Sequence, residues 1–165
     1  MNGTLIDIKC YEVWLKTRLD LTTKFLKNNA LTIFMNIESP KVSVDKSPEE
    51  VFNFLEEIEN FESLMPENIS KFEVLSDDTF IFALSGMPEI TLKKKEVIAP
   101  NKIVFVAAGG KIDFSLIGHI VKKDETSSEV LLEFLGDFNP MMAMMIKKPI
   151  TKFIGTLATS IPNAI

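Results

Sequence analysis

His119 is the only histidine in the sequence and Cys10 the only cysteine. The side chains best suited to proton transfer or nucleophilic attack therefore occur once each. A general base needs a partner that orients it and a pocket that excludes water. Strand alternation puts Phe114, Leu116 and Ile120 on one face and His119, Asp113 and Ser115 on the other, so His119 is expected on the wet side of a sheet. A metal centre needs three or four ligands, and a lone histidine far along the chain from a lone cysteine cannot supply them. Gly86 and Gly109-Gly110 read as turn glycines, in neither the G-x-x-x-x-G-K nor the G-x-G-x-x-G pattern that cradles phosphate. Lys93-Lys94-Lys95 is a charge run inside a strand, where alternate ammoniums cannot all leave by one face. It reads as solvated strand rather than as a nucleic-acid patch. No catalytic residue, metal ligand or cofactor is expected.

The methionines carry more. Met141, Met142, Met144 and Met145 crowd together, and a flexible, polarizable thioether suits a surface that accepts varied apolar shapes. They open a stretch, Asn139 to Ile161, in which Met142, Met145, Ile146, Pro149, Phe153, Leu157 and Ile161 recur near i, i+3, i+4 and i+7. That spacing predicts the apolar stripe of one long helix. A proline inside a helix removes a hydrogen bond and costs about 3 kcal/mol. A helix kinked at Pro149 is expected to bow away from its support and leave volume beside it.

The elements that must position this helix lie before it. Ile37 to Val44 predicts a first strand. Ser47-Pro48-Glu49-Glu50 is a helix start: Ser47 as N-cap, Pro48 at the first helical position, and Glu50 closing a capping box. Val51, Phe54, Leu55 and Ile58 share one side of that helix. Asn60 is placed to cap a second short helix bearing Phe61, Leu64 and Met65, ended by Pro66. Strands follow at Phe72 to Leu75, Thr79 to Ser85, Ile90 to Ile98, around Ile103, Phe105 and Ala107, then Ile112 to Val121 and Glu129 to Phe138. Gly109-Gly110 predicts a tight hairpin. Phe80, Phe82 and Leu84 share a face, as do Phe114, Leu116 and Ile120, and Val130, Leu132, Phe134 and Phe138. Asp113, Ser115, His119, Glu129, Glu133 and Asp137 fall opposite, so one side of the sheet faces water.

This order resembles the START-like, or helix-grip, superfamily (SRPBCC type), which includes polyketide cyclases and lipid-transfer proteins. The residues that carry the likeness are SPEEVFNFLEEIENFESLMP, similar to the helix-pair segment, and FNPMMAMMIKKPITKFIGTL, similar to the entry of the long helix with its mid-helix proline. The resemblance implies an α+β helix-grip fold: a curved antiparallel sheet of about seven strands wrapped around a long C-terminal helix, two short helices after the first strand, and an apolar cavity between sheet and helix. The residues expected to line that cavity are Phe80, Phe82, Leu84, Phe105, Phe114, Leu116, Leu132, Phe134, Met142, Met145, Ile146 and Pro149. Cyclases of the superfamily use polar and ionisable groups inside the cavity, whereas this face offers Phe, Leu, Val and Ile. The expected function is therefore non-catalytic binding or transport of a small hydrophobic molecule, whether lipid, polyketide or quinone-like. The alternatives are a protein-interaction module, left open by outward Leu131, Leu135 and Ile117, and a cyclase-type enzyme.

Composition bounds the remainder. The chain has 165 residues, 46% hydrophobic and 25% charged, as expected of a globular domain with a real core. Its net charge of -5 argues against nucleic acid as a partner. No apolar run approaches the roughly 20 residues of a membrane span. Asp7, Lys9 and Glu12 interrupt the region where a signal peptide would be apolar. A reduced, cytoplasmic setting is expected. Residues 1–34 differ from the rest: they hold the only Cys, Tyr, Trp and Arg, and more basic than acidic side chains. They read as an N-terminal extension outside a core domain at 35–161.

Overall fold

The Ser47 hydroxyl accepts a hydrogen bond from the Glu50 backbone N–H at 3.3 Å, and the Ser47 N–H donates to the Glu50 carboxylate at 3.0 Å. This reciprocal cap starts α1 (Pro48–Glu56), which buries Pro48, Val51, Phe52 and Leu55. The computed structural model describes residues 31–109 and 112–165, in which Ile33–Ile165 forms one unit. The expected N-terminal extension, apart from its last four residues, lies outside the described residues. A 3-10 turn at Ile58–Asn60 leads directly into α2 (Phe61–Leu64). Asn60 does not cap it as expected. The turn already places Asn60 in helical conformation, and its side-chain amide instead donates to the Phe54 carbonyl at 2.9 Å, tying the helix pair together.

Among the described residues, eight strands make one antiparallel sheet: β1 (Ile33–Glu38), β2 (Val42–Val44), β3 (Ile69–Ser76), β4 (Thr79–Leu84), β5 (Ile90–Ile98), β6 (Lys102–Ala107), β7 (Asp113–Lys122) and β8 (Ser128–Phe138). The order is β1-β8-β7-β6-β5-β4-β3, with β2 also paired to β8. The single first strand expected over Ile37 to Val44 is thus two strands on one neighbour. Pro40 has no N–H to give the ladder, and Ser39 bridges the break. Its backbone N–H donates to the Leu132 carbonyl at 2.8 Å, while its hydroxyl accepts from the Leu132 N–H at 2.9 Å. β1 begins two residues ahead of Met35. Of the expected Gly109-Gly110 turn, Gly110 lies outside the described residues, and Gly109 takes a φ of +75°.

The long helix α3 (Pro140–Ala164) starts at Asn139, whose side-chain oxygen accepts from the Met142 N–H at 2.8 Å, and runs unbroken through Pro149 and Pro162. It packs on β8, β1, β2 and α2. Its buried side chains are Ala143, Ile150, Phe153, Ile154, Leu157, Ala158 and Ile161. The stripe expected from spacing is correct in the C-terminal half and rotated in the N-terminal half, where Met145 is 71% exposed. The middle of the lysine run has a structural task. The Lys94 ammonium donates to the Glu56 carbonyl at 2.9 Å, satisfying an orphan acceptor at the negative end of α1, while Lys93 pairs with Asp78 at 3.4 Å.

Candidate functional site

Two aromatic groups divide the space between sheet and helix. In the first, Phe80 contacts Phe61, Phe82 and Phe105 at centroid distances of 5.6, 6.2 and 5.8 Å, and Phe82 stacks on Phe153 at 4.8 Å. All five are buried, and the helix pair plugs this end of the sheet with Phe61 and Leu64. In the second, Phe114 stacks on Phe134 at 4.9 Å and Phe134 on Phe138 at 5.9 Å. Here the packing stops short of the helix.

The space left is a cavity of about 280 Å³. Its floor is Phe114, Phe134 and Phe138 from β7 and β8; its roof is Met141, Met142, Met145, Ile146 and Ile150 of α3. Ile90 and Ile112 form a side wall, and Met87 and Pro88, between β4 and β5, close the end. Among the described residues Asn139 is the one polar member of the lining, and its side-chain oxygen is engaged by the N-cap bond. A second hollow of about 270 Å³ adjoins it, sharing Pro88, Ile90, Ile112, Phe114 and Met142, and adds Glu89 and Thr91. The Lys71 ammonium donates to Glu89 at 3.1 Å, so that carboxylate is paired.

Of the residues expected to line a cavity, Phe114, Phe134, Met142, Met145 and Ile146 come together around it. Phe80, Phe82 and Phe105 belong to the filled aromatic group, and Leu84, Leu116 and Leu132 are buried without bordering this space. Pro149 is half-buried and also outside the lining. Ile90, Ile112 and Ile150, and the Met87-Pro88 wall, are lining residues beyond those expected from the sequence. A loop side chain carries no period from which its direction follows, so that wall had no signal. Phe138 had one, since it shares strand parity with Phe134.

His119 lies on the outer face, where its Nε2 meets the Glu133 carboxylate at 2.9 Å. The other Glu133 oxygen accepts from the Asn36 amide at 3.1 Å. The pair is half-exposed and borders none of the space under α3. His119→Ala should leave apolar-ligand binding unchanged and cost no more than about 1 kcal/mol, the upper range for such pairs; dye titration beside a chemical melt checks both. Among the described residues, no group of three or more His, Cys, Asp and Glu could hold a metal ion, and no helix is long and apolar enough to cross a membrane.

A curved sheet gripping a long C-terminal helix, with a short helix pair at one end and a cavity under the helix, is the START-like, helix-grip fold. Solved structures bear this out. Norcoclaurine synthase from Thalictrum flavum, in complex with dopamine and hydroxybenzaldehyde, superposes with a TM-score of 0.65 at 14% identity, over 80% of this chain and 86% of that one. A START superfamily protein from Mycobacterium smegmatis gives 0.61 at 14% identity, over 79% and 94%. A conserved protein from Geobacillus kaustophilus gives 0.57 at 12%, over 78% and 93%. Identities this low establish the fold alone. No family model matches the sequence, and no curated protein does.

Proposed function

We propose that the chain is a cytoplasmic binding protein that carries a small apolar molecule beneath the N-terminal half of α3 and performs no chemistry on it. The observation that supports this reading is the character of the cavity. Among the described residues its lining is hydrocarbon and thioether apart from Asn139, whose side-chain oxygen holds the helix N-terminus. Ligand sites usually add a few polar groups that fix orientation. Nearly bare apolar walls favour recognition by size and shape. At about 280 Å³ this cavity sits at the small end of ligand pockets, which begin near ~300 Å³. A quinone-like ring, a polyketide fragment or a single acyl chain fits that scale. Norcoclaurine synthase puts the same fold to catalytic use, and an enzyme reading would need an acid or base at the cavity. Among the described residues the one carboxylate at its edge, Glu89, is already held by Lys71.

The test is direct. Mass spectrometry of denatured, freshly purified protein should release an apolar molecule, and a neutral phenylnaphthylamine dye should compete for its place. Ile146→Trp, which pushes a ring into the void, should weaken the dye at least tenfold. It should cost less than the ~1–3 kcal/mol of overpacking a filled core. A chain that releases nothing, binds no dye and treats Ile146→Trp as an ordinary core insertion has no ligand site here.

A further inference from the structure

Resting on that reading, we propose that the outward face of α3 docks on an anionic lipid bilayer, and that the cavity exchanges its apolar ligand with that bilayer. The first ground is a set of side chains without cover. Met141, Met144 and Met145 are 74%, 81% and 71% exposed, the most solvated large apolar groups in the described residues apart from Leu31. At 100° per residue they span an arc of about 100°, opposite buried Ala143, Ile150 and Ile154, with Met144 on its β1 side and Met141 and Met145 toward the cavity. Met141 and Met145 also line the cavity, so the exposed face and the cavity's rim are the same side chains. A ligand leaving past them would enter whatever the face rests on.

The second ground is charge. α3 carries Lys147, Lys148 and Lys152 and no acidic residue, in a chain whose net charge is -5. Lys148 and Lys152 fall on the same outward arc as Met141 and Met145, one and two turns further along. All three lysines are exposed, and none is in an ion pair among the described residues. The acidic group beside the cavity, Glu89, is compensated by Lys71. A methionine patch followed by unpaired ammoniums matches an interface of acyl chains and anionic headgroups, where apolar burial and Coulomb attraction act together. An apolar protein partner would not call for the lysines.

The experiment is flotation of the full chain with vesicles of phosphatidylcholine alone and of phosphatidylcholine mixed with phosphatidylglycerol, with dye titration of the same samples in free solution. Binding should be confined to the anionic vesicles and should fall steeply as salt is raised from about 0.1 to about 1 M, where screening shortens to about 3 Å. Lys148→Gln with Lys152→Gln should weaken it about 25-fold, near fivefold per lysine, and the Arg pair should restore it. Met144→Asp should weaken it at least tenfold. None of these side chains lines the cavity, so dye affinity should stay within about twofold. Vesicle binding without dye binding would sustain the docking and overturn the ligand reading. Dye binding with no vesicle binding, or with equal binding to neutral vesicles, would overturn the docking alone. A solution dimer lost in Met144→Asp, with no vesicle binding, would assign this face to a second copy instead.

Discussion

Phe153→Ala should cost about 3–5 kcal/mol, and Met145→Ala, two turns earlier on the same helix, less than about 1 kcal/mol. Phe153 is 4% exposed, and its ring lies nearly parallel to Phe82, at a centroid distance of 4.8 Å and an interplanar angle of 8°. Truncation removes both the buried area and the stacking. The neighbours are β4, hydrogen-bonded on both sides, and the helix itself, neither of which can collapse into the hole. Met145 is 71% exposed and meets the cavity rather than packed atoms, so few contacts are lost. In a chain of this size the Phe153 loss corresponds to a fall in Tm on the order of 10 °C. Chemical denaturation of both variants with dye titration alongside checks the contrast. Core-sized losses at both positions would mean that α3 closes a solid core along its whole length, and the cavity would have to be abandoned.

The contrast between those two residues also marks where sequence reading succeeds. In the C-terminal half of α3, polar Thr151, Lys152, Thr156 and Thr159 alternate with apolar groups, so the 3.6-residue period selects Phe153, Leu157 and Ile161 without ambiguity. The N-terminal half reads Met-Met-Ala-Met-Met-Ile. With apolar groups all round, hydrophobicity cannot tell which face is inward, and size misleads. The inward residue is small Ala143, while the large thioethers stand in water. Inner-face phenylalanines were legible from strand alternation, yet alternation says only which face a ring is on. Whether it meets Phe61 and Phe153 or an empty volume depends on how far the helix pair reaches along the sheet, which is a tertiary fact. The break at Pro40 is legible in the sequence, because a residue without an N–H cannot donate to the ladder in the middle of a strand.

Gly136→Ala should cost about 1–3 kcal/mol and reduce dye affinity at least tenfold, a large effect for one methyl group. Gly136 is buried on β8 between Phe134 and Phe138, paired with Phe114 on one side and Met35 on the other. A methyl there would stand 2.6 Å from Phe138 Cε2 and 2.8 Å from Phe114 Cβ, well inside the roughly 3.5–4.0 Å at which carbon atoms rest. Phe114 Cβ is fixed to the backbone of a central strand and has little room to yield. The Phe138 ring must therefore swing, and the volume open to it is the cavity it borders. The same motion breaks its stack on Phe134. Gly118→Ala supplies the control. Its new methyl would find Leu132 Cδ2 at 3.7 Å, an ordinary contact, so stability and dye affinity should both hold. Parallel melts and titrations of the two variants separate the effect of a methyl on the inner face from that of a ring driven into the cavity. If Gly136→Ala binds dye as the wild type does, Phe138 has moved elsewhere, and the floor assigned to the ligand site is not the surface the ligand touches.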